Sequence, residues 1–77
     1  MLKQVVEYIV KSLVDHPALA VVVEKREDKK VIFEINVAEL DRGKIIGKAG
    51  ATIRSIRLLL AAMTQKDDIQ IVVDITK

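Results

Sequence analysis

All three glycines of this chain lie between positions 43 and 50, in the stretch GKIIGKAG. The flanking residues have helical character, and a glycine inside a helix costs roughly 1 kcal/mol relative to alanine. Gly47-Lys48-Ala49-Gly50 therefore joins two helices with almost no loop. Glycine at 47 and 50 can take backbone angles closed to other residues, and it leaves no side chain to block a close approach. The second helix starts directly afterwards, so its N–H groups and its positive dipole end face the loop. Gly43 reads differently, as a small residue that lets the first helix pack closely.

The rest of the chain alternates between two periodicities. Leu2, Val5, Val6, Ile9, Val10, Leu13 and Val14 recur with helical spacing, predicting a helix over 2–14. Asp15-His16-Pro17 ends it, because the proline biases His16 away from helical angles. A β-branched run over 19–25 and the alternating VIFEINV over 31–37 predict two strands, turned at Glu27-Asp28-Lys29. Val31, Phe33, Ile35 and Val37 form the inward set. A short helix is expected over 38–46 and a longer one over 51–63, with Ile53, Ile56, Leu60 and Met63 on its buried stripe. IQIVVDI over 69–75 is the last strand, with Gln70 and Asp74 outward. The order α-β-β-α-α-β predicts a single α+β domain over 1–77. It is a two-layer sandwich of a three-stranded sheet with three helices on one face.

Composition narrows the chemistry. With 77 residues, no cysteine and one histidine, His16, the chain offers no disulfide, no thiolate metal site and no His-rich metal site. No nucleophile is set beside a base, so no enzyme, cofactor or metal is expected. No purely apolar run is longer than Ala18 to Val23, far short of the ~20 residues of a membrane helix. The N-terminal MLKQVVEYIV carries Glu7 and lacks a small-residue cleavage site, so neither a signal peptide nor a membrane is expected, and a cytoplasmic location fits. Net charge is only +2, but residues 41–57 hold Arg42, Lys44, Lys48, Arg54 and Arg57 against Asp41 alone, a local +4. The remaining eight basic and ten acidic residues leave −2 elsewhere. Positive charge gathered around bare backbone is the footprint of a polyanion site.

Two phosphate-binding loops are excluded by spacing. A Walker loop needs four residues between its glycines and then Lys-Ser/Thr, whereas Lys48 is followed by Ala49. A dinucleotide fingerprint needs G-x-G, which does not occur. The run I-I-G-K-A-G-x-x-I-x-x-I instead resembles the KH-domain signature, whose core is I-G-x-x-G. The element order matches the type II arrangement over nearly the whole chain, and the size resembles the small bacterial single-KH proteins of the KhpA type. Ala49 stands where that family often has glycine.

The resemblance implies a shallow groove for about four nucleotides of single-stranded RNA, with single-stranded DNA as the alternative. Gly47, Lys48, Ala49 and Gly50 would hold the sugar–phosphate backbone. Ile45, Ile46 and Ile53 would form the groove floor, with the strand over 31–37 beyond it. Lys44, Arg54 and Arg42 are the candidate phosphate contacts, and Arg57 is a weaker one. The chain has only two aromatic residues, Tyr8 and Phe33, too few for a base-stacking platform, whereas aliphatic side chains can hold bases in such a groove. The resemblance further implies a non-catalytic RNA chaperone or regulator. It would act as a homodimer or with a second KH-containing protein of the KhpB type, in a setting linked to cell shape and envelope homeostasis. The competing reading is a protein-interaction or dimerisation module that keeps the fold and has lost RNA affinity.

Overall fold

The computed structural model describes residues 2–76. Helix α1 is Leu2–Leu13, strand β1 Val21–Glu27, strand β2 Lys30–Asn36, helix α2 Arg42–Ile46, helix α3 Ala51–Met63 and strand β3 Gln70–Ile75. The expected order α-β-β-α-α-β and the α+β class are both present, and α3 has the bounds read from the sequence. Other bounds shift for local reasons. Pro17–Leu19 forms a single 3-10 turn, closed by Leu19 N–H on the His16 carbonyl at 3.0 Å, so β1 begins at Val21. β1 runs on to Glu27 because that residue still pairs with Lys30, which leaves only Asp28 and Lys29 in the turn. Asp28 takes φ 54°, a left-handed angle that aspartate tolerates. The helix expected over 38–46 divides into a 3-10 turn, Glu39–Asp41, and α2.

The sheet order is β1-β2-β3. β1 and β2 form an antiparallel hairpin, whereas β2 and β3 are parallel, with Val31 opposite Ile71 and Phe33 opposite Val73. A parallel pair needs a crossover, and α2 with α3 supplies it. Strand alternation sorts the faces: Val31, Phe33 and Ile35 are buried beneath the helices, and Val37 is buried just past the end of β2. Val6 and Val10 of α1, Ile45 of α2, and Ile56 and Leu60 of α3 pack against them, and Val14, Ala20, Val22 and Ile71 complete the core. Burying a side chain such as Phe33 is worth roughly 1.5–3 kcal/mol.

One member of the expected α3 stripe is displaced. Met63 faces solvent, Ile53 is half-buried, and the buried line runs through Ile56, Leu60 and Thr64. These three are spaced by four, and a helical face repeats at i+4 as readily as at i+3. The Thr64 hydroxyl reaches the Leu60 carbonyl at 3.0 Å, which lets a polar side chain close the row.

Candidate nucleic-acid interface

The corner between α2 and α3 is built by left-handed backbone. Gly47 has φ 75°, Ala49 φ 56° and Gly50 φ 76°. Gly47 has no substitute, because a Cβ there would lie 2.7 Å from the backbone nitrogen of Thr52. Its own N–H closes α2 on the Gly43 carbonyl at 2.9 Å. At Gly50 an added Cβ would meet only the Arg54 guanidinium, at 3.9 Å, so the demand there is for the dihedral angle alone. Gly43 lies inside α2 with open space where a side chain would be.

The corner is exposed at Lys48 and Ala49 and half-buried at both flanking glycines. Part of its donor capacity is already used. Gly50 N–H bonds the Gly47 carbonyl at 3.2 Å, and Ala51 N–H bonds the Lys48 carbonyl. The start of α3 thus presents fewer open N–H groups than its sequence predicts, and the cations carry more of the attraction for an anion.

Those cations divide into two sets. Lys48, Arg54 and Arg57 are exposed, and among the described residues none has a carboxylate within ion-pair distance. Lys44 is instead ion-paired with Asp15, and its ammonium lies 4.0 Å from Asp41. Arg42 is half-buried, and its Nε is enclosed without a hydrogen-bond partner among the described residues. Gly50, Ile53, Arg54, Arg57 and Val73 surround a shallow hollow of about 270 Å³ beside the corner. The strand bordering it is β3, not the segment over 31–37 that sequence reasoning placed there. That segment is the central strand β2, covered on the helix side, whereas β3 is at the edge. Of the three isoleucines expected in the floor, Ile53 lines the hollow and Ile46 is partly exposed. Ile45 is fully buried and supports the corner from beneath.

Asp41 is the feature that sequence reasoning missed. It is 1% exposed, and its carboxylate does not cap its own helix. It accepts the backbone N–H of Asp15 at 3.2 Å and of His16 at 3.0 Å, and the His16 Nδ1 lies 3.1 Å away. Burial pushes this carboxyl up, but the two backbone N–H bonds, the His16 hydrogen bond and its charge outweigh that and hold it below the usual 3.8. Its partners are 25 and 26 residues away in the chain, so no local pattern reveals them.

Comparison with known proteins agrees with this geometry. The family described as KhpA/KhpB, KH domain, matches residues 3–75. A protein of Chlamydia muridarum named RNA-binding protein KhpA is 40% identical over 74 residues, covering 96% of this chain and 95% of that one. The protein of the same name from Thermotoga maritima is 44% identical over 62 residues, covering 80% and 83%. The one from Clostridium acetobutylicum is 40% identical over 74 residues, covering 96% and 99%. No solved structure matches significantly. A profile match over nearly every residue, carried by a chain whose G-x-x-G corner joins two helices beside a three-stranded mixed sheet, places this protein in the KhpA/KhpB KH-domain family.

Proposed function

We propose that this protein is a non-catalytic RNA-binding protein that holds about four nucleotides of single-stranded RNA along the corner and the hollow beside it. The observation carrying this reading is the set of unpaired cations, Lys48, Arg54 and Arg57, around a left-handed backbone corner. The relatives' name, RNA-binding protein KhpA, points the same way. Phosphates lie against Lys48, Ala49 and Gly50, and Arg54 and Arg57 neutralise the strand as it follows α3. Bases rest on the aliphatic surface of Ile53 and Val73, with Ile46 at the margin. Lys44 and Arg42 contribute less, the first because Asp15 already neutralises it. Single-stranded DNA is bound by the same backbone contacts, and the 2′-hydroxyl decides between the two polymers.

One groove of this size binds in the micromolar range, so useful affinity comes from joining two modules. Leu58, Leu59 and Met63 are 60, 47 and 46% exposed on α3, and Leu59 and Met63, four apart, form a short apolar stripe. That stripe supports pairing with a second copy or with a KH-containing partner of the KhpB type; a chaperone or regulatory role in the cytoplasm is part of the proposal on the strength of the family resemblance. The stripe also favours the second reading, a protein-interaction module without RNA affinity. No helix among the described residues is long and apolar enough to cross a membrane.

The test reverses charge at the corner. Lys48→Asp with Ala49→Asp lowers affinity for a fluorescein-labelled RNA of randomised sequence by about tenfold or more at low salt, with native circular dichroism. Unchanged affinity in a folded double variant overturns the RNA reading. Lost affinity with intact self-association separates the two roles.

A further inference from the structure

Helix α2 is held by very little. Of its five residues only Ile45 is buried; Gly43 has no side chain, Lys44 and Ile46 are exposed and Arg42 is half-buried. One apolar anchor fixes a position but leaves a short helix free to pivot about it. A helix of this length rises only ~7.5 Å, so a pivot at its start is delivered to Gly47 at its end. Something else must fix the angle.

The second anchor lies immediately before the helix. Both oxygens of Asp41 point away from α2 to the segment that follows α1, where they take the Asp15 and His16 N–H groups and the His16 ring. For the ring nitrogen to donate to a carboxylate, Nδ1 must carry the proton. Lys44, one turn into α2, bridges back to Asp15 and lies near Asp41. The titratable groups here are thus Asp15 and His16 in the segment after α1, Asp41 just before α2, and Lys44 within α2. A buried carboxylate is retained at a cost unless its hydrogen bonds are met, and here they are met by two backbone N–H groups and the His16 ring, all from the segment that follows α1.

We propose that Asp41 is the positioning residue of the glycine corner: by clamping the Asp15–His16 backbone it sets the pitch of α2 about Ile45, and so the direction in which Gly47–Gly50 meet RNA. The inference rests on the RNA reading for its functional half and on geometry alone for its structural half. Asp41 touches no ligand and acts through α2. Lys44 belongs to the clamp, which accounts for its being the one cation near the corner with carboxylate partners.

The experiment compares Asp41→Asn, which keeps one acceptor oxygen, with His16→Ala, which removes a single half-exposed contact. Val22→Ala, a core variant on β1, serves as the stability-matched control. Two readouts are taken well below each midpoint of unfolding: the amide resonances of residues 47–50, and anisotropy of a fluorescein-labelled RNA of randomised sequence. D41N shifts the Gly47 and Gly50 amides and weakens RNA binding about threefold to tenfold. H16A moves both in the same direction by less, and V22A moves neither despite its lower midpoint. Wild-type amides and affinity in folded D41N overturn the proposal, as does an equal effect from V22A. If D41N does not fold, H16A decides by the same criteria. If the wild type itself fails to bind RNA, the function proposed above falls, and the amides of 47–50 alone decide the clamp.

Discussion

Two ends of this small molecule carry basic residues beside a hollow, and they differ in one respect. At the hairpin end, Lys25 pairs with Glu34 at 3.3 Å, Arg26 with Glu24 at 3.0 Å and Lys29 with Asp68 at 3.7 Å. The depression there, between the hairpin turn and the start of β3, is the larger of the two at about 450 Å³. At the glycine corner the hollow is smaller, yet Lys48, Arg54 and Arg57 face water without a carboxylate partner among the described residues. A phosphate approaching the hairpin must compete with carboxylates already in place, whereas at the corner it meets none. Lys30 also has no ion pair among the described residues, but Glu27, Asp28 and Asp68 line its depression, so a local surplus of positive charge beside open backbone, and not volume, singles out the corner.

The comparison breaks first at Gly47. Gly47→Ala forces a left-handed alanine against Thr52 and costs about 2–3 kcal/mol, read from urea unfolding, out of roughly 4–12 kcal/mol for a chain of this length. Asp28→Gly, at the left-handed position of the hairpin turn, leaves stability within about 0.5 kcal/mol. A smaller effect separates the charges. Arg54→Gln and Arg57→Gln each reduce the slope of log affinity against log salt by about 0.7, the value per phosphate on a single strand, while Lys25→Gln leaves it unchanged. Equal effects at both ends would remove the distinction.

Ala49 sharpens the contrast within the corner. Asp28 and Asp68 have similar positive φ values, but their side chains favour that conformation and an alanine does not. Ala49→Gly raises stability by about 0.5–1 kcal/mol, measured by thermal melting. The smallest effect is confined to acid. Because the Asp41 carboxyl is held below 3.8, its contribution to stability is complete above that pH and is lost as the pH falls through the lowered value. The stability gap between wild type and Asp41→Asn therefore narrows only at the acid end of a pH series.

The elements whose order depends on neighbouring residues were legible in the sequence. Alternation through Val31, Phe33 and Ile35 marks the buried face of β2, and the spacing of Ile56 and Leu60 sets the inward line of α3. The glycines mark the corner because left-handed angles restrict residue type. What alternation cannot convey is which strand lies at the edge. Val73 reached the hollow because β3 pairs with only one neighbour, a fact of sheet order. The fate of the lysines was equally hidden: Lys44 is neutralised by Asp15 from across the chain, while Lys48 is not. In the sequence Asp41 is only the one acid in a basic stretch, and in the fold it serves residues 15 and 16.

The parallel pairing of β2 with β3 has a kinetic consequence. The hairpin can zip from its two-residue turn, but the last strand finds its register only after the intervening chain has looped back, and that closure carries an entropic toll. The glycine corner lies within that return path. A backbone defect there would delay completion of the sheet, and refolding after a jump out of denaturant would slow.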